Sequence, residues 1–283
     1  MEKWLVISNC NTFGIANSLQ AQANDVIVTG VDTALFRSNP EKFNSEMGTY
    51  QTLFIAEGVK RELSGAEIGK IKHHVALPMF TFHSYHPDLI YLQHLDQPVT
   101  GPAGDYHSAI TYSCFLKGLN ITDTLRYFTG SFFERCGYMS LWKAERDSKI
   151  EEMMTLFGLD IAAPIRRWGR EQAFMLSINH PRIHVLYDIA TGLLHAQGRK
   201  PFLNGILPHD NLLTGACFAV YPEIGEALGV RGEYIFKGVG SYRSICLAEF
   251  IERCFEIYQK FPTGSLTVHP EFQSHTDYIG SLI

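Results

Sequence analysis

Cys10 stands at the point where a short apolar run, Trp4-Leu5-Val6-Ile7, gives way to polar residues and then to a helical pattern. Such a run is typical of a strand buried on both faces, and ligands bind in the crevice beyond the carboxyl ends of parallel strands. A thiol there meets a helix N-terminus, whose free N–H groups and dipole favour the thiolate and can stabilise an oxyanion. The position therefore predicts a nucleophile with a pKa below the ordinary value of about 8.5. A small buried residue at a tight turn is the alternative.

His180 lies in Asn179-His180-Pro181, a predicted helix start with proline at the first helical position. A histidine at this place projects from a loop over a sheet edge, where it can meet a nucleophile from another strand. We predict that His180 serves Cys10 as a general base. The alternative is a histidine at a helix start that has no chemical role.

A segment dense in histidine and aromatic residues, 82–88, holds His83 and His86 three residues apart. No carboxylate accompanies them at metal-ligand spacing, and His180 and His184 likewise lack the glutamate of the HExxH zinc motif. The sequence therefore predicts no metal site. It favours a loop that contacts a substrate through His83 and His86, and a polar turn without function is the alternative.

A second polar segment, Gly104 to Ser108, lies where a long loop meets a predicted helix. Asp105 is a predicted N-cap of that helix and a candidate ligand contact. His107 is a candidate second acid–base group or ligand contact.

Three arginines, Arg166, Arg167 and Arg170, surround Trp168. Guanidinium groups beside an indole suit a phosphate attached to a stacked base, and a solvated basic helix face is the alternative. The chain has no GxGxxG and no GxxxxGK[ST] sequence, so neither a dinucleotide fingerprint nor a P-loop is predicted.

The composition limits the classes of function. The chain has 283 residues, of which 46% are hydrophobic and 19% charged, which excludes a disordered chain. Its formal net charge of −5 and the absence of a basic run argue against nucleic-acid binding. No apolar run approaches the length of a membrane span. Six cysteines without a CxxC pair, in a sequence that lacks a signal-peptide pattern, predict reduced thiols and a cytoplasmic location.

Strand and helix patterns alternate over residues 1–95, which predicts a parallel α/β unit, and helical periods dominate residues 96–283. We predict a single α/β domain over 1–283, with a mostly parallel sheet, flanking helices and helical elaborations in the middle and C-terminal parts. One clean amphipathic helix is predicted by Leu247, Phe250, Ile251, Cys254 and Tyr258.

The order and spacing of several short motifs resemble the WcbI family. The motifs are Ile7-Ser8-Asn9-Cys10-Asn11, His86-Pro87-Asp88-Leu89 with Tyr91, Asp105-Tyr106-His107-Ser108, Asn179-His180-Pro181, Gly232-Glu233-Tyr234-Ile235-Phe236 and Leu247-Ala248-Glu249-Phe250-Ile251. The resemblance covers residues 4–260. It implies a bacterial capsule polysaccharide biosynthesis protein that binds coenzyme A and acts as an acetyltransferase. The family usually has Gly-Asn-Cys-Gln at the first motif, where this chain has Ser8-Asn9-Cys10-Asn11.

A wider analogy links the chain to the SGNH (GDSL-like) esterases and acetyltransferases, which have a flavodoxin-like sheet. These proteins also place a nucleophile after the first strand and a His-Pro pair late in the chain. Their triad has an aspartate three residues before the histidine, where this chain has Ser177. The analogy therefore favours a Cys–His dyad over a full triad.

The resemblance implies transfer of an acetyl group from acetyl-coenzyme A to a hydroxyl of a sugar or polysaccharide acceptor. Cys10 would carry the acyl group, His180 would move the protons, and Asn11 N–H with the side chain of Asn9 would stabilise the oxyanion. The arginine cluster would bind the coenzyme A phosphates. Direct transfer without an acyl-cysteine, a thioesterase or carbohydrate deacetylase, and a non-enzymatic coenzyme A or glycan-binding protein are the alternatives. The sequence assigns no oligomeric state.

Overall fold

The computed structural model of the chain describes residues 1–60, 63, 68–170, 172–203 and 205–283. Its strands are β1 Glu2–Ser8, β2 Val26–Asp32, β3 Thr52–Ala56, β4 His73–Leu77, β5 Leu89–Ile90, β6 Leu92–His94, β7 Gln97–Pro98, β8 His107–Ser108, β9 Met175–Ser177, β10 His180–Pro181, β11 Ile235–Lys237, β12 Ser244–Cys246 and β13 Leu266–Val268.

The α-helices are α1 Thr12–Gln22, α2 Thr33–Ser38, α3 Pro40–Glu46, α4 Glu57–Lys60, α5 Ala109–Leu116, α6 Ile121–Leu125, α7 Gly130–Arg135, α8 Leu141–Phe157, α9 Ala162–Trp168, α10 Ile183–Ala196, α11 Pro222–Leu228, α12 Leu247–Tyr258 and α13 Pro270–Leu282. Short 3₁₀ turns occupy Met47–Thr49, Ile68–Lys70, Tyr138–Ser140 and Asn211–Thr214.

The chain forms two compact units, each built from three stretches of sequence. The first unit contains Met1–Thr81, Asp147–Trp168 and Asn179–Leu212. The second unit contains Phe82–Arg146, Gly169–Ile178 and Leu213–Ile283.

A four-stranded parallel sheet, in the order β2-β1-β3-β4, is the framework of the first unit. Ile7 of β1 lies opposite Val31 of β2 on one side and Ile55 of β3 on the other. The apolar runs of β1 and β3 are fully buried, as expected for strands covered on both faces. The predicted α/β fold with a parallel sheet and flanking helices is confirmed.

The strand order reverses at β1. The chain passes from β1 through α1 to β2 on one side of β1, and it then returns to form β3 on the other side. In open α/β sheets, ligands bind at the carboxyl ends of the strands beside such a reversal.

Helix α10 packs against α1 in the first unit. A Cβ placed on Gly14 of α1 would lie 2.4 Å from Cδ1 of Leu186 and 3.6 Å from Cδ1 of Ile183, so the glycine permits the close approach of the two helices. Farther along, the side chain of Gln22 donates to the carbonyl of Tyr187 at 3.0 Å. Gly14 is in the first turn of α1 and Ile183 begins α10, so the two helix starts lie side by side.

Two predicted helix starts differ from the structure. His180 and Pro181 form the short strand β10, and α10 begins at Ile183 after Arg182, with Asp210 accepting the Ile183 N–H at 3.1 Å. The cap of α5 is Ser108 rather than Asp105, because the Ser108 hydroxyl accepts the Thr111 N–H at 2.9 Å.

The sequence of residues 64–72 also predicts a helix, and this segment falls partly outside the described residues. Its first four residues are not described, and Ile68–Lys70 forms a 3₁₀ turn rather than an α-helix.

Aromatic side chains dominate the core of the second unit. The rings of Phe236 and Phe250 stack with centroids 3.9 Å apart, and Phe218 meets Phe236 edge to face at 5.1 Å. Helix α12 buries the face predicted from its sequence, so the predicted amphipathic helix is confirmed.

Asp88 is the buried polar centre of this unit and is fully shielded from solvent. Its Oδ1 accepts from the Tyr138 hydroxyl at 3.0 Å and from the Ile110 N–H at 2.9 Å, while Oδ2 accepts from the Tyr221 hydroxyl at 2.6 Å. The Ser108 side chain also donates to the carboxyl group. Asp88 thereby ties the start of α5 to the two tyrosines.

Gly232 is a point of close backbone approach near Tyr221. A Cβ on Gly232 would lie 2.6 Å from the Tyr221 carbonyl oxygen and 2.9 Å from Cα of Pro222. Neither backbone atom can rotate away as the end of a side chain can.

Gly232→Ala is therefore expected to lower the free energy of unfolding by about 1–3 kcal/mol, as overpacking does. Urea denaturation measures the change, with Gly48→Ala as control because a Cβ there meets no atom within 4 Å. Equal stability of the two variants would contradict the backbone collision.

Among the described residues, no helix is long and apolar enough to cross a membrane.

Candidate active site

The loop between β1 and α1 places Cys10 at the carboxyl end of the parallel sheet. Strand β1 ends at Ser8, beside Asp32 at the end of β2, and α1 begins at Thr12. Cys10 is half-buried, whereas Ser8, Asn11 and Thr12 are buried.

Hydrogen bonds fix the shape of this loop. The Asn9 carbonyl accepts from the N–H of Thr12 at 3.1 Å and from its hydroxyl at 2.7 Å. The Thr12 hydroxyl oxygen also accepts the Ser8 N–H at 3.0 Å. Thr12 therefore positions the cysteine loop, a role that our sequence analysis missed although a threonine three residues after an asparagine is a common turn pattern.

The two predicted oxyanion donors are engaged with each other. Asn9 Oδ1 accepts the Asn11 N–H at 3.1 Å. The N–H groups of Cys10 and Asn11 also act on the Cys10 sulfur as hydrogen-bond donors. In this structure the loop amides face the thiol, and Asn11 N–H is shared between the sulfur and Asn9.

The pKa of the Cys10 thiol is raised to about 11, which contradicts the predicted lowering. Burial is the main cause, and the Asp32 carboxylate adds to it, while the two loop N–H groups oppose the shift only in part. Among the described residues, the charged group that acts on this thiol is Asp32 and not a histidine. Cys10 is thus a neutral thiol that needs a base before it can attack.

Iodoacetamide at pH 7 is accordingly expected to label the exposed Cys246 before Cys10, because the reactive species is the thiolate and Cys10 holds its proton. The labelling rate at Cys10 should rise with pH toward 11. Peptide mass spectrometry after substoichiometric labelling measures both rates. Labelling of Cys10 first at pH 7 would show that a nearby cation lowers its pKa.

The side-chain oxygen of Asn11 is a buried hydrogen-bond acceptor. Asn11 is 2% exposed, and its Oδ1 has no hydrogen-bond donor among the described residues. A buried acceptor without a donor costs free energy, so this atom is suited to receive an N–H group from a ligand beside Cys10.

His180 is half-exposed in β10, three residues before α10. The close approach of α1 and α10 at Gly14 brings the segment before Ile183 to the end of α1 that carries the cysteine loop. The interactions of the Cys10 thiol in the described part of the chain do not include His180, so the dyad stays a prediction.

His83 is held by Glu145. Its Nδ1 lies 3.0 Å from Glu145 Oε1, and its side chain is 35% exposed. Our sequence analysis missed Glu145, which lies in the charged sequence of α8 and carries no signal of its own.

His86 and His107 are buried and bonded to the protein. Nδ1 of His86 lies 3.2 Å from the carbonyl oxygen of Ala219, and Nε2 of His86 lies 3.4 Å from the carbonyl oxygen of Met175. His107 lies 3.0 Å from the Tyr258 hydroxyl and 2.8 Å from the Val99 carbonyl, and burial lowers its pKa to about 4. Both histidines are thus held by contacts within the protein, and their catalytic or ligand-binding roles stay predictions.

Asp105 is exposed and accepts from the Thr100 hydroxyl at 3.1 Å. It does not cap α5, and its role as a ligand contact stays a prediction.

Trp168, the residue at the centre of the arginine cluster, lies in a different environment from the predicted one. Trp168 is buried and donates its indole N–H to Asp188 at 2.6 Å, so it offers no face to a base. Arg167 pairs with the same carboxylate at 2.7 Å. Arg166 and Arg170 are exposed. The described residues hold no group of three or more side chains suited to a metal ion.

A parallel sheet with a cysteine in the loop after the strand at which the strand order reverses defines an α/β protein of the open-sheet type. The sequence pattern of the family described as "polysaccharide biosynthesis enzyme WcbI" matches residues 3–201, more than half of the chain. The chain therefore belongs to the WcbI family of polysaccharide biosynthesis enzymes.

A solved structure of WcbI supports the fold. It shares 16% sequence identity with this chain, with a TM-score of 0.70 over 99% of this chain and 95% of the other. That structure is described as the native protein without a disulfide bond between coenzyme A and one of its cysteines. No curated protein matches the sequence.

Proposed function

We propose that this protein is a coenzyme A-dependent acyltransferase that moves an acetyl group to a sugar hydroxyl in polysaccharide biosynthesis. The observation that carries the proposal is the position of Cys10, in a hydrogen-bonded loop at the carboxyl end of the sheet where the strand order reverses, in a chain of the WcbI family. The description of the solved relative, which links coenzyme A with a cysteine, supports the same pairing here.

The residues around Cys10 fit the thiol end of coenzyme A. The pantetheine arm carries amide N–H groups next to its sulfur, and Asn11 Oδ1 is a buried acceptor that lacks a donor among the described residues. Of the arginines, Arg166 and Arg170 remain candidates for phosphate contacts, because Arg167 is already paired with Asp188.

In the first step, His180 removes the proton from Cys10, and the sulfur attacks the thioester carbonyl carbon of acetyl-coenzyme A. The bond from that carbon to the coenzyme sulfur breaks, and His180 returns the proton to the departing thiol. The cysteine loop N–H groups and the side-chain amide of Asn9 stabilise the oxyanion.

In the second step, His180 removes the proton of a sugar hydroxyl, whose oxygen attacks the acetyl carbon on Cys10. The carbon–sulfur bond breaks, and Cys10 regains the proton from His180. Because the free Cys10 thiol is neutral at physiological pH, the reaction depends on this base rather than on a thiolate formed in advance.

The test combines two measurements on the full chain. Mass spectrometry after incubation with acetyl-coenzyme A should find an acetyl group on the Cys10 peptide, and the His180→Ala variant should lack it. A thiol-reactive dye should report release of coenzyme A that depends on an added sugar acceptor.

Each alternative gives a different result. Acetylated sugar without acetylated Cys10 would indicate direct transfer. Release without an acceptor would indicate a thioesterase, and release of acetate from an acetylated sugar would indicate a deacetylase. Binding without turnover would indicate a coenzyme A-binding protein.

A further inference from the structure

A patch of half-exposed rings lies on the second unit around the buried side chain of Phe272. The ring centroids of His83, Tyr91 and His269 lie 6.3, 5.5 and 6.2 Å from that of Phe272. Tyr91 and His269 also contact each other, with centroids 6.4 Å apart. We call these four residues the Phe272 patch.

Glu145 orients the imidazole of His83 in this patch. Glu145 Oε1 accepts from the His83 backbone N–H at 2.5 Å and from Nδ1 at 3.0 Å, and Oε2 accepts from the Ser84 N–H at 2.7 Å. A carboxylate at Nδ1 fixes the proton on that nitrogen. In the neutral imidazole Nε2 then carries the lone pair, and no described residue bonds to this nitrogen.

The charge of the site limits what it can bind. Although burial raises the pKa of the Glu145 carboxyl, hydrogen bonds from His83 and Ser84 hold it below the usual value, so the group is a carboxylate. This negative charge disfavours phosphate and therefore the anionic end of coenzyme A. A hydroxyl can donate to Nε2, and half-exposed aromatic rings can cover the C–H groups of a neutral ligand.

We propose that the Phe272 patch binds a neutral saccharide, with His83 Nε2 hydrogen-bonded to one sugar hydroxyl. Tyr91 and His269 cover the sugar ring, and Glu145 is a positioning residue for His83. The inference rests on the proposed function only for the choice of a saccharide as the ligand, and binding itself requires no acyl transfer.

The test is saturation-transfer NMR on the full chain with the methyl α-glycosides of mannose, glucose and galactose as probes. At least one glycoside should show a saturation-transfer signal, which indicates binding to the protein. His83→Ala should weaken its binding about three- to tenfold, the effect of losing one hydrogen bond. His94→Ala is the matched control, because His94 is a half-exposed histidine of the same unit that contacts Phe261 instead.

No saturation of any of the three glycosides, or equal binding by the His83→Ala and His94→Ala variants, would overturn the inference. A Cys10→Ala variant should bind the glycoside like the native protein, so loss of acyl transfer and loss of saccharide binding are separable.

Discussion

Cys10→Ala is expected to lower kcat/KM for acetyl transfer by about 10⁴-fold or more, because removal of a covalent nucleophile leaves only binding and oxyanion stabilisation. Coenzyme A release in the presence of the sugar acceptor measures the loss. The fold should persist, since the loop is held by Asn9 and Thr12 rather than by the sulfur.

Cys246→Ala is the matched control, because Cys246 is an exposed thiol in β12 of the second unit. It should retain native activity. Activity of Cys10→Ala within tenfold of the native protein would reject the acyl-cysteine and leave Cys10 a part of the pocket wall.

Asp88→Ala is expected to lower the free energy of unfolding by roughly 3–5 kcal/mol, which is a large share of the stability of most domains. The alanine would leave the hydroxyls of Tyr138 and Tyr221 and the N–H of Ile110 buried without their acceptor. Urea denaturation followed by circular dichroism measures the loss. Asp105→Ala, at an exposed aspartate, should change stability far less.

The same aspartate should make stability depend on pH. Burial raises the pKa of Asp88 to about 6, against the hydrogen bonds that lower it. A native pKa above the unfolded one means that the native state binds the proton more tightly, so this contribution to stability is present below about pH 4 and is lost as the pH rises through about 6.

Asp88→Asn provides the comparison, because it keeps one acceptor oxygen and cannot ionise. The advantage of the native protein over this variant should be larger at pH 5 than at pH 8. An equal or larger advantage at pH 8 would show that the donors around Asp88 keep it ionised.

The sequence predicted those elements whose burial can be seen from the local pattern of their own apolar residues. The apolar runs that became β1 and β3 mark strands buried on both faces, and the spacing of apolar residues marks α12. The apolar residues that follow segment 82–88 lie in two very short strands, β5 and β6, and no local pattern specifies where one ends and the next begins.

The site was predictable only in part, because its remaining features come from residues far apart in the sequence. The strand-end position identified Cys10, but the effect of Asp32 on its pKa depends on the pairing of β1 with β2. Glu145 reaches His83 from 62 positions away, and Trp168 is turned inward by Asp188. Burial of His107 likewise has no signature in its own motif.

The division of each unit into three separated stretches has a consequence for synthesis of the chain on the ribosome. Strands β1 to β4 emerge first, yet α10, which covers α1 through Gly14 and Gln22, follows only after residue 182. The second unit likewise begins at Phe82 and is completed only by α12 and α13 at the end of the chain. The first unit can therefore reach its native packing only after residue 212 has been synthesised, and until then the nascent sheet of β1 to β4 lacks α10 and is exposed to aggregation.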